Sequence, residues 1–504
     1  MKRMMWLYVV GVVVFSLTPV LTSSMTRAQA QDPLLPRYEV GACDFRTGSG
    51  GDIECGTLIV PEDRNNPNSP EIRLPVAILK ATGNDPFSDP VIYLEGGPGG
   101  NVLEYAPYFF EIPLRATRDI ILFDQRGTGY AEPSLDCPEI ENYYYDFDYD
   151  LDSDSNPDSD NQRYKQVLLD CRDRLEDEGI NLAAYNSAAN AADVADLCVT
   201  LGYKSCNLWG VSYGTRLALT VMRDYPNDIR SVVLDSVYPP SVDLMLELAA
   251  NTDRAFHQLY DACAADPDCD AAYPDLEGVL VEVVLDLNAS PAVIGGDGSF
   301  GFGMYEVEIS GDEVLGTLFN ALYVRDLIPE LPAVIYAAHD GDILPLAELA
   351  MMMSDRGDGF SEGMYLSVQC YEEITFSTYT QYADAASEYP YLESYFVSNA
   401  LEYALCDRWG AGSADGAENE RVISDIPTLI MSGEFDPITP PSWGLLAAET
   451  LPNSYAYEYP GVGHGSSFSH PCPLEMMQAF LDDPKGPPAA GCIASMDPLP
   501  FTIP

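Results

Sequence analysis

Ser212 lies in Gly210-Val211-Ser212-Tyr213-Gly214, between a run that reads as a strand and one that reads as a helix. A serine hydroxyl is a poor nucleophile until a base takes its proton. Small residues on either side permit a turn sharp enough to lift the hydroxyl beside the helix N-terminus, where developing negative charge is favoured. Alone, the pattern is equally an ordinary glycine-rich turn; its place between strand and helix makes Ser212 a candidate. The chain has four histidines to supply the base. His257 and His339 fall in a long region of fading strand character and read as surface or packing residues. His464, in Gly461-Val462-Gly463-His464-Gly465, directly follows the last strand-like run, where a loop carries it over the sheet edge; His470 is its rival. The acid that accepts the imidazole N–H should also follow a strand. Asp436, in Gly433-Glu434-Phe435-Asp436-Pro437, does so, with Asp235 and Glu434 as alternatives. Together these residues suit acyl transfer through a covalent intermediate.

Such chemistry needs donors for a developing oxyanion. The N–H of Tyr213 is one candidate. Gly96 and Gly97, in Glu95-Gly96-Gly97-Pro98-Gly99-Gly100, are the others, since glycine lets the backbone approach a carbonyl closely. A phosphate-binding loop is the competing reading, but neither a Lys-Ser/Thr pair nor a dinucleotide pattern follows.

The elements that position these residues alternate. Short β-rich runs at 56–60, 72–80, 91–94, 120–123, 206–209 and 231–235 are interleaved with helical patterns at 193–201 and 215–225, which implies a mostly parallel, doubly wound sheet with an expected eight strands. Strands resume at 427–432 and 454–459, and a helix at 474–481 closes the pattern. Between them, 238–410 reads as an inserted, mostly helical lid. The expected organisation is a leader at 1–30, a first core segment at 31–237, the lid at 238–410, and a second core segment at 411–504.

The first residues read as an export signal: Lys2 and Arg3, an apolar stretch from Trp6 to Val20, then Ala28-Gln29-Ala30 as a cleavage pattern. An uncleaved anchor is the alternative; the apolar run is short for one. All 12 cysteines lie beyond the leader. A purely local scheme pairs Cys43 with Cys55, Cys137 with Cys171, Cys198 with Cys206, Cys263 with Cys269, Cys370 with Cys406, and Cys472 with Cys492. Zinc is disfavoured because no Cys-x-x-Cys occurs, and no metal or other cofactor is expected. The net charge of −54 opposes nucleic acid and anionic membranes as partners, and no later stretch is apolar enough to insert into a bilayer. The acidic run 141–161 reads as a mobile loop or, less readily, a calcium loop lacking the usual turn glycine and terminal Glu.

The blocks Gly96-Gly97-Pro98-Gly99, Asp124-Gln125-Arg126-Gly127-Thr128-Gly129, the Ser212 turn with Tyr213, Asp436-Pro437-Ile438-Thr439-Pro440, and Gly463-His464 resemble serine peptidases of the α/β-hydrolase fold, the family containing proline iminopeptidase and the secreted tripeptidyl aminopeptidases. One departure is Glu95, where proline iminopeptidases carry His. The resemblance implies a secreted bacterial enzyme acting on peptides with free N-termini. Carboxylates must then hold the substrate's ammonium group, and Glu372, Glu373 and Glu95 are the candidates. Asp124 and Arg126 read as structural, and Thr439 as positioning the Asp436 loop. A carboxylesterase or lipase-like hydrolase with the same triad is the alternative.

Overall fold

The computed structural model describes residues 35–48, 52–140, 143, 157–295, 306–354, 359–398, 400–496 and 499–504. The expected leader and most of the acidic run at 141–161 lie outside the described residues.

The sheet contains β1 (Arg37–Gly41), β2 (Ile53–Pro61), β3 (Glu71–Leu79), β4 (Val91–Leu94), β5 (Ile120–Phe123), β6 (Cys206–Val211), β7 (Ile229–Asp235), then, after a separate hairpin of β8 (Ala292–Gly295) and β9 (Glu306–Ile309), β10 (Thr428–Gly433) and β11 (Ser454–Tyr459). Its order is β1-β2-β3-β5-β4-β6-β7-β10-β11. Pairing is parallel from β5 through β4, β6, β7 and β10 to β11, and antiparallel where β1, β2 and β3 join. The sheet has nine strands, not the expected eight. The ninth is the edge strand β1, whose residues are nearly all exposed and which is held by its ladder to β2.

Alternation explains why the central runs are strands. In β4, Ile92 and Leu94 point into one core while Val91 and Tyr93 point into another; in β5, Ile121 and Phe123 divide from Ile120 and Leu122 in the same way. Both faces are therefore apolar and both need cover. Helices α1 (Ser187–Thr200) and α2 (Tyr213–Asp224) supply Val194, Leu197 and Leu217 to the first face.

Between β7 and β10 the chain leaves the sheet. It passes through helices including α3 (Leu244–Ala265), α4 (Gly311–Ala321) and α5 (Glu362–Glu372), with the β8–β9 hairpin among them. Their starts are chemically marked: Asp243 and Ser361 accept backbone N–H groups at the first turns of α3 and α5, and Ser310 with Glu313 forms a capping box on α4. This insertion has its own core, with Phe256, Leu259, Leu318 and Leu331 fully buried. The last long helix, α6 (Pro471–Asp482), places Met476, Met477 and Phe480 against the second sheet face.

All 12 cysteines are paired, in the six local bridges expected from their spacing. Among the described residues no helix is long and apolar enough to cross a membrane.

Candidate active site

Ser212 is the single residue between β6 and α2, with φ 57° and ψ −127°. A non-glycine residue pays a strain of order 1–3 kcal/mol for such a conformation. The turn is possible because the residues two positions away on either side have no side chain: a Cβ on Gly214 would lie 2.0 Å from the Leu94 carbonyl oxygen, and one on Gly210 would lie 2.3 Å from that of Gly214. The N–H of Tyr213 is in the first turn of α2, where no intrahelical acceptor exists.

The loop after β4 comes directly over this turn. A Cβ on Gly96 would lie 3.0 Å from the Ser212 Cβ. Gly97, at φ +110°, is exposed, and a Cβ there would meet the Gly99 nitrogen at 2.7 Å. Gln125 anchors the loop by donating to the Glu95 carbonyl at 3.0 Å. Asp124 holds the adjoining turns through the N–H groups of Val102, Leu103 and Tyr130, and Arg126 forks onto Asp193.

Asp436 and His464 are joined. The imidazole Nδ1 lies 2.8 Å from Asp436 Oδ2; a ring protonated at Nδ1 donates to that carboxylate and leaves Nε2 able to accept a proton. Thr439 donates through its hydroxyl at 2.7 Å and its N–H at 2.9 Å to the same carboxylate, with Ile438 N–H a further donor. Burial alone would push Asp436 up, yet the facing imidazole and the Thr439 donors hold it below the ordinary carboxylate value. Burial would likewise push His464 down. The Asp436 charge outweighs that, and with Asp235 and Glu95 also near, the ring holds its proton above the ordinary histidine value.

The alternative residues are engaged elsewhere. Asp235 takes the N–H groups of Ser466 at 2.9 Å and Ser467 at 2.7 Å, while Ser236 accepts from Gly465 N–H. Because Asp235 also gives its carbonyl to Ser212 N–H, the loop bearing His464 is stitched to the strand end beside the serine. Glu434 accepts from Gly461 N–H, and His470 caps α6 by accepting from Cys472 N–H. The insertion also holds this loop: His464 N–H donates to the Tyr323 carbonyl at 3.1 Å, the two rings lie 4.7 Å apart, and a Cβ on Gly463 would lie 2.0 Å from the Leu322 oxygen. Among the described residues, neither the Ser212 hydroxyl nor His464 Nε2 has a hydrogen-bond partner.

A cavity of about 500 Å³ opens beside His464, lined by Tyr93, Glu95, Phe109, Tyr323 and Phe468, with exposed Asp326 at its rim. Glu372 and Glu373 do not line it, which corrects their sequence-based assignment to the substrate's ammonium group. Both are buried and share one guanidinium: Arg216 Nε lies 3.0 Å from Glu372 and Nη1 2.6 Å from Glu373. Glu372 further accepts Ser187 N–H and Glu373 accepts Leu244 N–H. Sequence reading also missed what holds the His464 loop. Asp235 and Ser236 act through side chains that accept the loop's N–H groups, Tyr323 through its carbonyl, and no motif marks them in these roles. The one cluster of metal-ligand type among the described residues, Cys137, Glu139 and Cys171, has its two sulfurs joined to each other.

Residues 89–345, just over half of the chain, match the family model of the alpha/beta hydrolase fold, and 391–492 match that of TAP-like proteins. Serine protease Hip1 of Mycobacterium tuberculosis is 24% identical over 87% of this chain and 87% of its own length. The tripeptidyl aminopeptidase of Streptomyces lividans is 31% identical over 40% of this chain and 38% of its own. The crystal structure of a proline iminopeptidase from Mycobacterium smegmatis aligns with 85% of this chain and 97% of that one, at 15% identity and a TM-score of 0.39, too remote to add to the assignment. The chain belongs to the α/β-hydrolase family and is a serine hydrolase of its peptidase-containing branch.

Proposed function

We propose that this chain is an exported aminopeptidase that releases residues or short peptides, of tripeptidyl type, from free N-termini. Ser212 attacks the scissile carbonyl, and His464 Nε2 takes its proton and returns it to the leaving amine. Asp436 fixes the ring and stabilises the imidazolium. The N–H groups of Tyr213 and of Gly96 or Gly97 receive the oxyanion, and water releases the acyl-enzyme. The observation that carries this reading is the 2.8 Å contact between His464 and Asp436, on a loop stitched to the strand end beside the Ser212 turn. The peptidase names among its relatives and its TAP-like segment support peptides as substrates. Six disulfides fit an oxidising compartment. With Glu372 and Glu373 committed to Arg216, Glu95 is the remaining candidate for the substrate's ammonium group.

Ser212→Ala tests the core of this reading. Turnover should fall by about six orders of magnitude if the three residues act as a unit, and fluorophosphonate labelling should vanish. Full activity in that variant would refute it. The aromatic lining of the cavity also suits the acyl group of a small ester. Equal turnover of free and N-acetylated peptide amides would favour that esterase reading.

A further inference from the structure

Glu95 occupies a position that the proposed chemistry needs vacant. Its Oε1 accepts the N–H of Gly96 at 2.8 Å, the glycine whose added Cβ would touch the nucleophile. Of the two loop donors proposed for an oxyanion on Ser212, Gly96 is the one packed against the serine, and a carboxylate there both takes the donor and repels the developing charge. Among the described residues, Glu95 also has no ion pair. The groups that act on it are Gly96 N–H, the Tyr93 hydroxyl, the like-charged Asp124 and the imidazole of His464. Burial pushes its carboxyl up, and the Gly96 and Tyr93 donors offset this only in part. By contrast, Asp193 is forked by Arg126, and Glu372 and Glu373 share Arg216. Yet Glu95 lines the cavity. A carboxylate with no ion pair among the described residues, in a cavity lined by the rings of Tyr93, Tyr323 and Phe468, offers a partner to an ammonium group; Arg325, which also lines the cavity, donates to the Pro460 and Gly461 carbonyls.

We propose that Glu95 is a specificity switch on the oxyanion loop: the α-ammonium group of a substrate draws its carboxylate off the Gly96 amide, so a free N-terminus completes an oxyanion hole that a blocked or neutral substrate finds occupied. The ammonium half rests on the aminopeptidase reading above; the occupied amide does not. Discrimination against blocked substrates then acts on kcat as well as on KM, because the unswitched enzyme binds but stabilises its transition state poorly.

Glu95→Ala and Glu95→Gln separate the two halves. Wild type and both variants are compared on p-nitrophenyl acetate and on alanyl p-nitroanilides of one to three residues, free and N-acetylated. Folding is checked by circular dichroism and Ser212 by fluorophosphonate labelling. Glu95→Ala should raise kcat on the neutral ester by about tenfold, as a blocked donor is released. For the peptide length that wild type cleaves fastest, it should cut the free-over-acetylated ratio of kcat/KM by about ten- to a hundredfold. Glu95→Gln keeps an acceptor for Gly96 without the charge, so it should lose the ratio and gain less on the ester. Equal slowing on every substrate, with the ratio intact, would overturn the switch. If Glu95→Ala does not fold, an unchanged ratio in folded Glu95→Gln overturns it just as well. Wild-type enzyme that cleaves the ester but no anilide would sink the aminopeptidase reading alone, and the ester arm would still decide whether Glu95 blocks Gly96.

Discussion

At the end of α5, Glu372 and Glu373 close around the guanidinium of Arg216 and are sealed from solvent. On the loop after β4, Glu95 is hydrogen-bonded by N–H and O–H donors, has no arginine of its own among the described residues, and lines a cavity. Sequence alone cannot tell these carboxylates apart. What separates them is the partner. A buried acid with its own arginine is already neutralised and serves as part of the framework, because releasing it would strand the cation. An acid held by N–H and O–H donors alone, its charge disfavoured by burial, has the most to gain from a cationic ligand.

The strongest test of this contrast is to remove the arginine. Arg216→Met leaves two buried acids without a counter-ion and should cost about 3–5 kcal/mol of stability, read as a fall in the urea midpoint. Removing the Glu95 charge should barely move that midpoint. A stability loss of the same size at both sites would erase the distinction.

Glu373 sharpens it through pH. Burial pushes its carboxyl up to about 7, against the pull of Arg216 and the Tyr238 hydroxyl. A carboxyl raised in the folded state holds its proton more tightly there than when unfolded. Its contribution to stability is therefore full below the ordinary value of about 4.3 and is lost as pH rises towards 7. Urea unfolding between those limits should show stability falling with pH, and Glu373→Gln should flatten that slope. A slope unchanged in the variant would mean that another group carries it.

The smallest expected effect concerns Asp235, which resembles Glu95 in being held by N–H and O–H donors but caps a loop instead of facing the cavity. His464 must be neutral to act as base, so its raised affinity for a proton sets the acid limb of kcat/KM above the ordinary histidine value, and activity falls as pH drops through it. Asp235→Asn removes one of the anions that raise it. The limb should move to lower pH by a fraction of a unit, while the proposed preference for free N-termini stays. A changed preference would put Asp235 in the binding site.

The legible parts of the fold share one property, that the signal is local. The runs of β4 and β5 announce buried strands, and Gly210 and Gly214 announce the tight turn around Ser212, because each answers to neighbours a few residues away. The edge strand β1 escaped because its residues are nearly all exposed, leaving no apolar face to read. Asp436 and His464 were legible as residues following strands, though what holds them was not: Asp235 meets Ser466, and Tyr323 meets His464, across long stretches of chain. Glu372 was misread for the same reason, since its partner Arg216 stands 156 positions earlier.

The seat of His464 on Tyr323 and Leu322 also constrains how the enzyme can be altered. The insertion is not a shutter hung over a finished machine; it forms one wall of the housing in which the proposed base is mounted. Pruning it to enlarge the entrance should dislodge the imidazole along with the obstruction. Variants broadened for bulkier substrates are better sought at the aromatic rim, by trimming exposed Phe468 or Tyr108, than by shortening the segment that follows α4.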